Sequence, residues 1–127
     1  MDSPDIQRIR HILLYCEKIT KTIQRYGNDF EIFSSDEDYF DSVSMKLMQI
    51  GELSAGLSDE FKERTREKMQ WGALRGMRNM FAHAYAKMNK ATVWEAATLD
   101  VPGLLRFCEK IVEPHNGQRT RKRDTEE

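Results

Sequence analysis

Arg78, Asn79 and His83 fall within one short segment, WGALRGMRNMFAHAY from Trp71 to Tyr85, and their types suit work on a phosphodiester. Arginine offers phosphate oxygens a fixed fork of donors. Histidine titrates near neutrality and can carry a proton, and an asparagine amide can hold either a phosphate or the imidazole. The neighbours of these residues are Met, Phe and Ala, so no Asp, Glu and His cluster here at metal-ligand spacing, and neither metal nor cofactor is expected. An Arg-x4-His spacing is weak by itself, because a surface histidine beside an ion-paired arginine would look the same. His11, off the apolar seam of its segment, and His115, near the C-terminus, read as solvated bystanders.

At about 100° per residue, Leu74, Met77, Met80, Phe81 and Ala84 share one arc of a helix over Trp71 to Tyr85, the expected core face. The opposite arc collects Tyr85, Arg78, Ala82, Asn79 and His83. Gly72, Gly76, Asn79 and His83 also form a strip whose first half has no side chains. Each glycine costs a helix about 1 kcal/mol relative to alanine, so something is expected to approach closely there. A second protomer, a substrate or another helix of the same chain would each fit.

The elements that must position this segment are helical. Ser3 as N-cap and Pro4 at the first helical position open a run with Ile6, Ile9, Leu13, Cys16, Ile19 and Ile23 on one seam, closed by Gly27. Ser35, followed by Asp36, Glu37 and Asp38, starts a second run with Phe40, Val43, Leu47, Ile50 and Leu53, ending near Gly56 as an antiparallel partner of the first. Ser58, Asp59 and Glu60 open a short charged helix that reads as a surface connector. Thr92 and Glu95 form a capping box for a short helix through Ala97, and Asp100 and Pro102 restart the chain as a last helix bearing Leu104, Cys108 and Ile111. Trp94 and Met45, Met48, Met77 and Met80 read as packing residues.

The 127 residues suffice for one domain, over 1–112, while residues 113–127 lose all apolar character and read as a disordered charged tail. Three prolines and seven glycines, with 39% hydrophobic and 32% charged residues, favour an all-α up-and-down bundle of four to five helices. A formal charge of −1 excludes a globally basic nucleic-acid binder, so any such contact must be local. Cys16 and Cys108 lack paired spacing and read as reduced core thiols. No apolar run approaches the roughly 20 residues of a membrane span, and the N-terminus lacks the order of a signal peptide, which points to the cytoplasm.

RGMRNMFAHAY, Arg75 to Tyr85, resembles the Arg-x4-6-His signature of the HEPN superfamily in the Arg-Asn-x3-His-x-Tyr form of the HepT-like toxins. QIGELSAGLSDEF (Gln49 to Phe61) is similar to the family's Ile-Gly-Glu segment, and VWE (Val93 to Glu95) and the Asp100-Val101-Pro102 restart extend the likeness over most of residues 1–112. The resemblance implies a symmetric homodimer with motif residues of both protomers facing one cleft. It implies a metal-independent endoribonuclease, the toxin of a type VII toxin-antitoxin pair, with RNA as substrate. Arg78 and His83 are then the catalytic pair, Asn79 and Arg75 supporting residues, and Tyr85 the site at which a minimal, MntA-like nucleotidyltransferase antitoxin would attach AMP. Ala84, where many relatives have glycine, and the apolar Met80 and Phe81 depart from the pattern without touching these positions. A non-catalytic HEPN module that partners a nucleotidyltransferase, and a bundle with no site, are the alternatives; the intact signature weighs against the first and the strip of Gly72, Gly76, Asn79 and His83 against the second.

Overall fold

The protein, described by a computed structural model over residues 3–84 and 89–114, is all-α: every regular element among the described residues is helical. Helix α1, Pro4–Tyr26, opens as expected, with the Ser3 hydroxyl accepting the Ile6 amide at 3.2 Å. It closes at Gly27, whose φ of +119° would strain a residue bearing a side chain. Ile6, Ile9, Ile12, Cys16 and Ile19 are buried, so Ile12 takes the central place expected of Leu13, which is only half-buried.

A helix that the periodicity does not reveal follows: α2, Phe30–Ser35, capped by Asp29, whose carboxylate accepts the Glu31 amide at 2.7 Å. Six residues make fewer than two turns, too short for a seam to repeat, yet Phe33 is fully buried. Ser35 ends α2, its hydroxyl bonded to the Glu31 carbonyl at 2.7 Å, and therefore does not cap the next helix. That role falls to Asp36, which accepts the Tyr39 amide at 3.1 Å and opens α3, Glu37–Ala55. Two contacts make α1 and α3 antiparallel. The Tyr39 hydroxyl donates to the Gly27 carbonyl at 3.0 Å at one end, and at the other the Asp5 carboxylate accepts the Ser58 amide at 2.8 Å and its hydroxyl at 2.6 Å.

Helix α4, Asp59–Thr65, is more than a surface connector, because Phe61 and Thr65 are buried and only its remaining face is charged. Helix α5, Trp71–Ala84, packs on α3. Helix α6, Lys90–Glu95, is capped by Asn89, which accepts the amides of Ala91 and Thr92 at 2.8 and 3.4 Å, so Thr92 lies inside the helix and forms no capping box. The expected restart at Asp100 is also replaced. Ala96–Asp100 form a π-helical turn that runs directly into α7, Val101–Val112, with the Val101 amide reaching the Ala96 carbonyl. Proline 102 has no N–H to continue an α-helical ladder, and the wider turn just before it absorbs that loss without breaking the chain direction.

The four long helices, α1, α3, α5 and α7, make the bundle, α1 packing on both α3 and α7 and α3 on α5. Their seams meet in a core that includes Ile9, Ile12, Val43, Leu47, Ile50 and Leu104. Beside it Phe33 packs against Tyr39, Phe40 and Trp94 at centroid distances of 5.1, 5.6 and 4.9 Å, which ties α2 and α6 to α3. Trp94 is thus the packing residue expected, whereas Met45 is 61% exposed. Cys16 and Cys108 are free, buried thiols; burial, and then the charge of Glu17, push Cys16 up to about 12, far from the reactive thiolate. Among the described residues no helix is long and apolar enough to cross a membrane.

Candidate active site

Two aromatic anchors seat α5. Near its start Trp71 is buried, its indole N–H donating to the Thr65 hydroxyl at 2.9 Å and its ring edge-on to Phe107 at 5.6 Å. Near its end Phe81 is 3% exposed. Between these, Leu74 and Met77 are only half-buried. The buried anchors of the packed stripe are therefore Trp71 and Phe81, with Leu74 and Met77 half-buried beside them. Helical spacing puts Arg78 between Phe81 and Trp71 in azimuth, on the flank of the packed face, rather than opposite it as the apolar arc alone suggests.

Gly51 of α3 explains how Arg78 can occupy that flank. A Cβ on Gly51 would come to 3.2 Å from the Arg78 Cα and 2.9 Å from its Cβ, the latter closer than real contacts allow. The two helices touch there nearly backbone to backbone. One residue on, Glu52 is exposed, and its Oε1 accepts the Arg78 Nε–H at 2.7 Å. The Ile-Gly-Glu segment thus has a physical reading: Ile50 is fully buried, Gly51 admits α5, and Glu52 grips the arginine brought alongside. Glu52 entered the sequence reading only as part of the Ile-Gly-Glu segment, with no contact to Arg78 expected of it. The available signal was the glycine within α3, costly for a helix by about 1 kcal/mol, but nothing local ties it to a residue 26 positions away.

Arg75 and Asn79 are exposed on the outer part of α5. Gly72 and Gly76 are exposed as well, and a Cβ on either would meet no atom of the described residues within 4 Å. Among those residues no helix of this chain covers Gly72 or Gly76. Gly76 also borders an open groove of about 720 Å³ between α5, α6, the π turn and α7, walled by Met77, Met80, Val93, Leu99 and Leu104. His83 belongs by its backbone to the last turn of α5. Its side chain, and Tyr85 altogether, lie outside the described residues, as does His115.

A helical bundle that holds an arginine head out from a helix–helix contact, on the helix that also carries an exposed asparagine and, five residues beyond the arginine, a histidine, is of the HEPN ribonuclease class. The chain belongs to the family described as Ribonuclease HepT-like, whose profile matches residues 12–111. It is 30% identical over 105 residues to a protein of Caldanaerobacter subterraneus subsp. tengcongensis, covering 83% of this chain and 91% of that one. With a protein of Methanocaldococcus jannaschii it shares 27% identity over 99 residues, 71% of this chain and 84% of the relative. Both relatives carry the printed name "Putative RNase". No solved structure matches the chain significantly.

Proposed function

We propose that this chain is a metal-independent endoribonuclease that cleaves RNA by attack of a ribose 2′-hydroxyl on the adjacent phosphate. The single observation that carries the reading is the clamped, outward Arg78 in a chain of the HepT-like family. The 2′-oxygen loses its proton and bonds to phosphorus, the bond from phosphorus to the 5′-oxygen breaks, and that oxygen takes a proton. The products are a 2′,3′-cyclic phosphate and a 5′-hydroxyl. His83 moves the proton, and the guanidinium of Arg78 stabilises the charge that builds on the pentacoordinate phosphate. Asn79 and Arg75, exposed on the same helix, help hold the backbone of the RNA.

One imidazole cannot take and give a proton in the same step, so two chains sharing a cleft as a symmetric homodimer would supply both, and would double Arg75 and Arg78 where the net charge offers RNA nothing. In this reading the chain is a cytoplasmic toxin of a type VII pair, and a minimal, MntA-like nucleotidyltransferase silences it by transferring AMP to Tyr85. An adenylate there adds bulk and negative charge two residues beyond His83 in the chain, which opposes the binding of RNA phosphates.

The test is cleavage of a single-stranded RNA oligonucleotide of mixed sequence. Arg78→Ala and His83→Ala each lower the rate by about 10²–10⁴-fold with an unchanged far-UV circular dichroism spectrum, and wild-type activity persists in EDTA. Full activity in either variant, or loss of cleavage on chelation, overturns the mechanism.

A further inference from the structure

The Arg-Asn-x3-His pattern leaves Glu52 without a part, yet Glu52 holds the arginine on which the chemistry depends. The contact has a specific form. It runs through Nε at 2.7 Å, and the Arg78 side chain remains 40% exposed. Nε–H is one of five guanidinium donors, and a phosphate engaged by the Nη groups need not displace it. At the other end of the side chain, the Arg78 Cα and Cβ are set against Gly51, where α3 and α5 come closest. Both ends of a long, otherwise freely rotating side chain are thereby tied to adjacent residues of α3. A group ordered before substrate arrives does not lose that freedom on binding or in the transition state.

We propose that Glu52 is a positioning residue of the ribonuclease site, its carboxylate holding Arg78 through Nε–H so that the Nη edge meets the scissile phosphate; this rests on the reading of Arg78 as the phosphate-stabilising group. An opposite role, in which Glu52 mimics phosphate and sequesters the arginine until RNA displaces it, would pair it with the Nη fork. Among the described residues the contact runs through Nε at 2.7 Å, which favours positioning. An ion pair this exposed contributes little to stability, so its loss is read in turnover and not in unfolding.

The experiment is steady-state cleavage of the same mixed-sequence RNA oligonucleotide by the full chain carrying Glu52→Ala or Glu52→Gln, in wild-type and Arg78→Lys backgrounds. Glu52→Ala lowers kcat by about tenfold or more, changes KM by less than about threefold, and leaves the melting temperature within about 2 °C. Glu52→Gln recovers most of the loss, because its amide oxygen still accepts the Nε–H. With Arg78→Lys, which lacks that N–H, Glu52→Ala costs less than about threefold more. Unchanged or raised kcat in Glu52→Ala, no rescue by Glu52→Gln, or an undiminished penalty in the Arg78→Lys background overturns the positioning role. Loss of activity in Arg78→Ala with none in Glu52→Ala defeats this role alone, whereas full activity in Arg78→Ala defeats the ribonuclease reading beneath it.

Discussion

Gly51 and Arg78 meet at a separation that leaves no room for one methyl group, and this pair sets where the guanidinium emerges from the bundle. Gly51→Ala would place its Cβ 2.9 Å from the Arg78 Cβ and 3.2 Å from its Cα, and neither atom belongs to a flexible side-chain end that could swing away. The helices must separate locally. Overpacking of this kind costs about 1–3 kcal/mol, offset in part by about 1 kcal/mol of improved helix propensity. Thermal unfolding should show a net loss of stability. RNA cleavage should fall further than that loss explains, because the backbone that carries Arg78 has moved relative to Glu52. A variant as stable and as active as wild type would mean that α5 does not depend on this approach.

At the scale of the element, α5 presents three different surfaces. Phe81 and Trp71 face the core, Met77, Met80 and Gly76 border the open groove, and Gly72 is exposed with no atom of the described residues over it. Since a Cβ at Gly76 would meet nothing within 4 Å among the described residues, Gly76→Ala should stabilise the isolated fold by about 1 kcal/mol through helix propensity alone, a rise of roughly 3–6 °C in Tm for a domain of this size. Scanning calorimetry that instead shows a fall would place an atom of this chain or of a second protomer over the strip. Gly76→Leu adds bulk where a second protomer is proposed to approach, and light scattering should report loss of the dimer together with loss of cleavage. A wild-type chain monomeric at micromolar concentration would contradict the dimer.

For the whole molecule, the ends of α1 decide how the bundle closes. Tyr39 bonds Gly27 at one end, and at the other Asp5 joins the start of α1 to Ser58, 53 residues away, just beyond α3. Burial pushes the Asp5 carboxyl up, but the Ser58 hydroxyl and amide, with Arg8 and Arg64, outweigh it and hold the group below its ordinary value. A carboxylate whose native pKa is depressed stabilises the fold above its unfolded value, about 4, and the contribution disappears as pH falls through the lower native value. Asp5→Asn should therefore lower the melting temperature at pH 7 by a few degrees, corresponding to about 1 kcal/mol for solvent-accessible hydrogen bonds to a charged group. The gap between variant and wild type should close as the pH is taken below about 4. A gap that does not narrow at all as the pH falls below about 4, or that is absent at pH 7, would show that Asp5 is not the latch.

The amino-acid sequence by itself determined the four long helices and the grouping of Arg78, Asn79 and His83 on one of them, because helical geometry acts between residues three to five apart and the seams of α1, α3, α5 and α7 repeat often enough to be seen. Where an element is shorter than two turns this signal fails, which is why α2, with only Phe33 fully buried, and the buried Phe61 and Thr65 of α4 were not legible. Proline 102 marked a discontinuity in the chain, but whether it becomes a break or a π turn depends on the packing of Val93, Ala97, Val101 and Leu104 to either side. Only the tertiary structure decided how α5 is rotated about its own axis. Its apolar arc is broad enough to dock in more than one way, and the choice depends on the shape of the opposing surface, where Gly51 lets a backbone in. That rotation moves Arg78 from an outer face to the edge of a helix contact and brings it to Glu52. A contact between residues 26 apart leaves no trace in local spacing, since it exists only once two separately formed surfaces have packed.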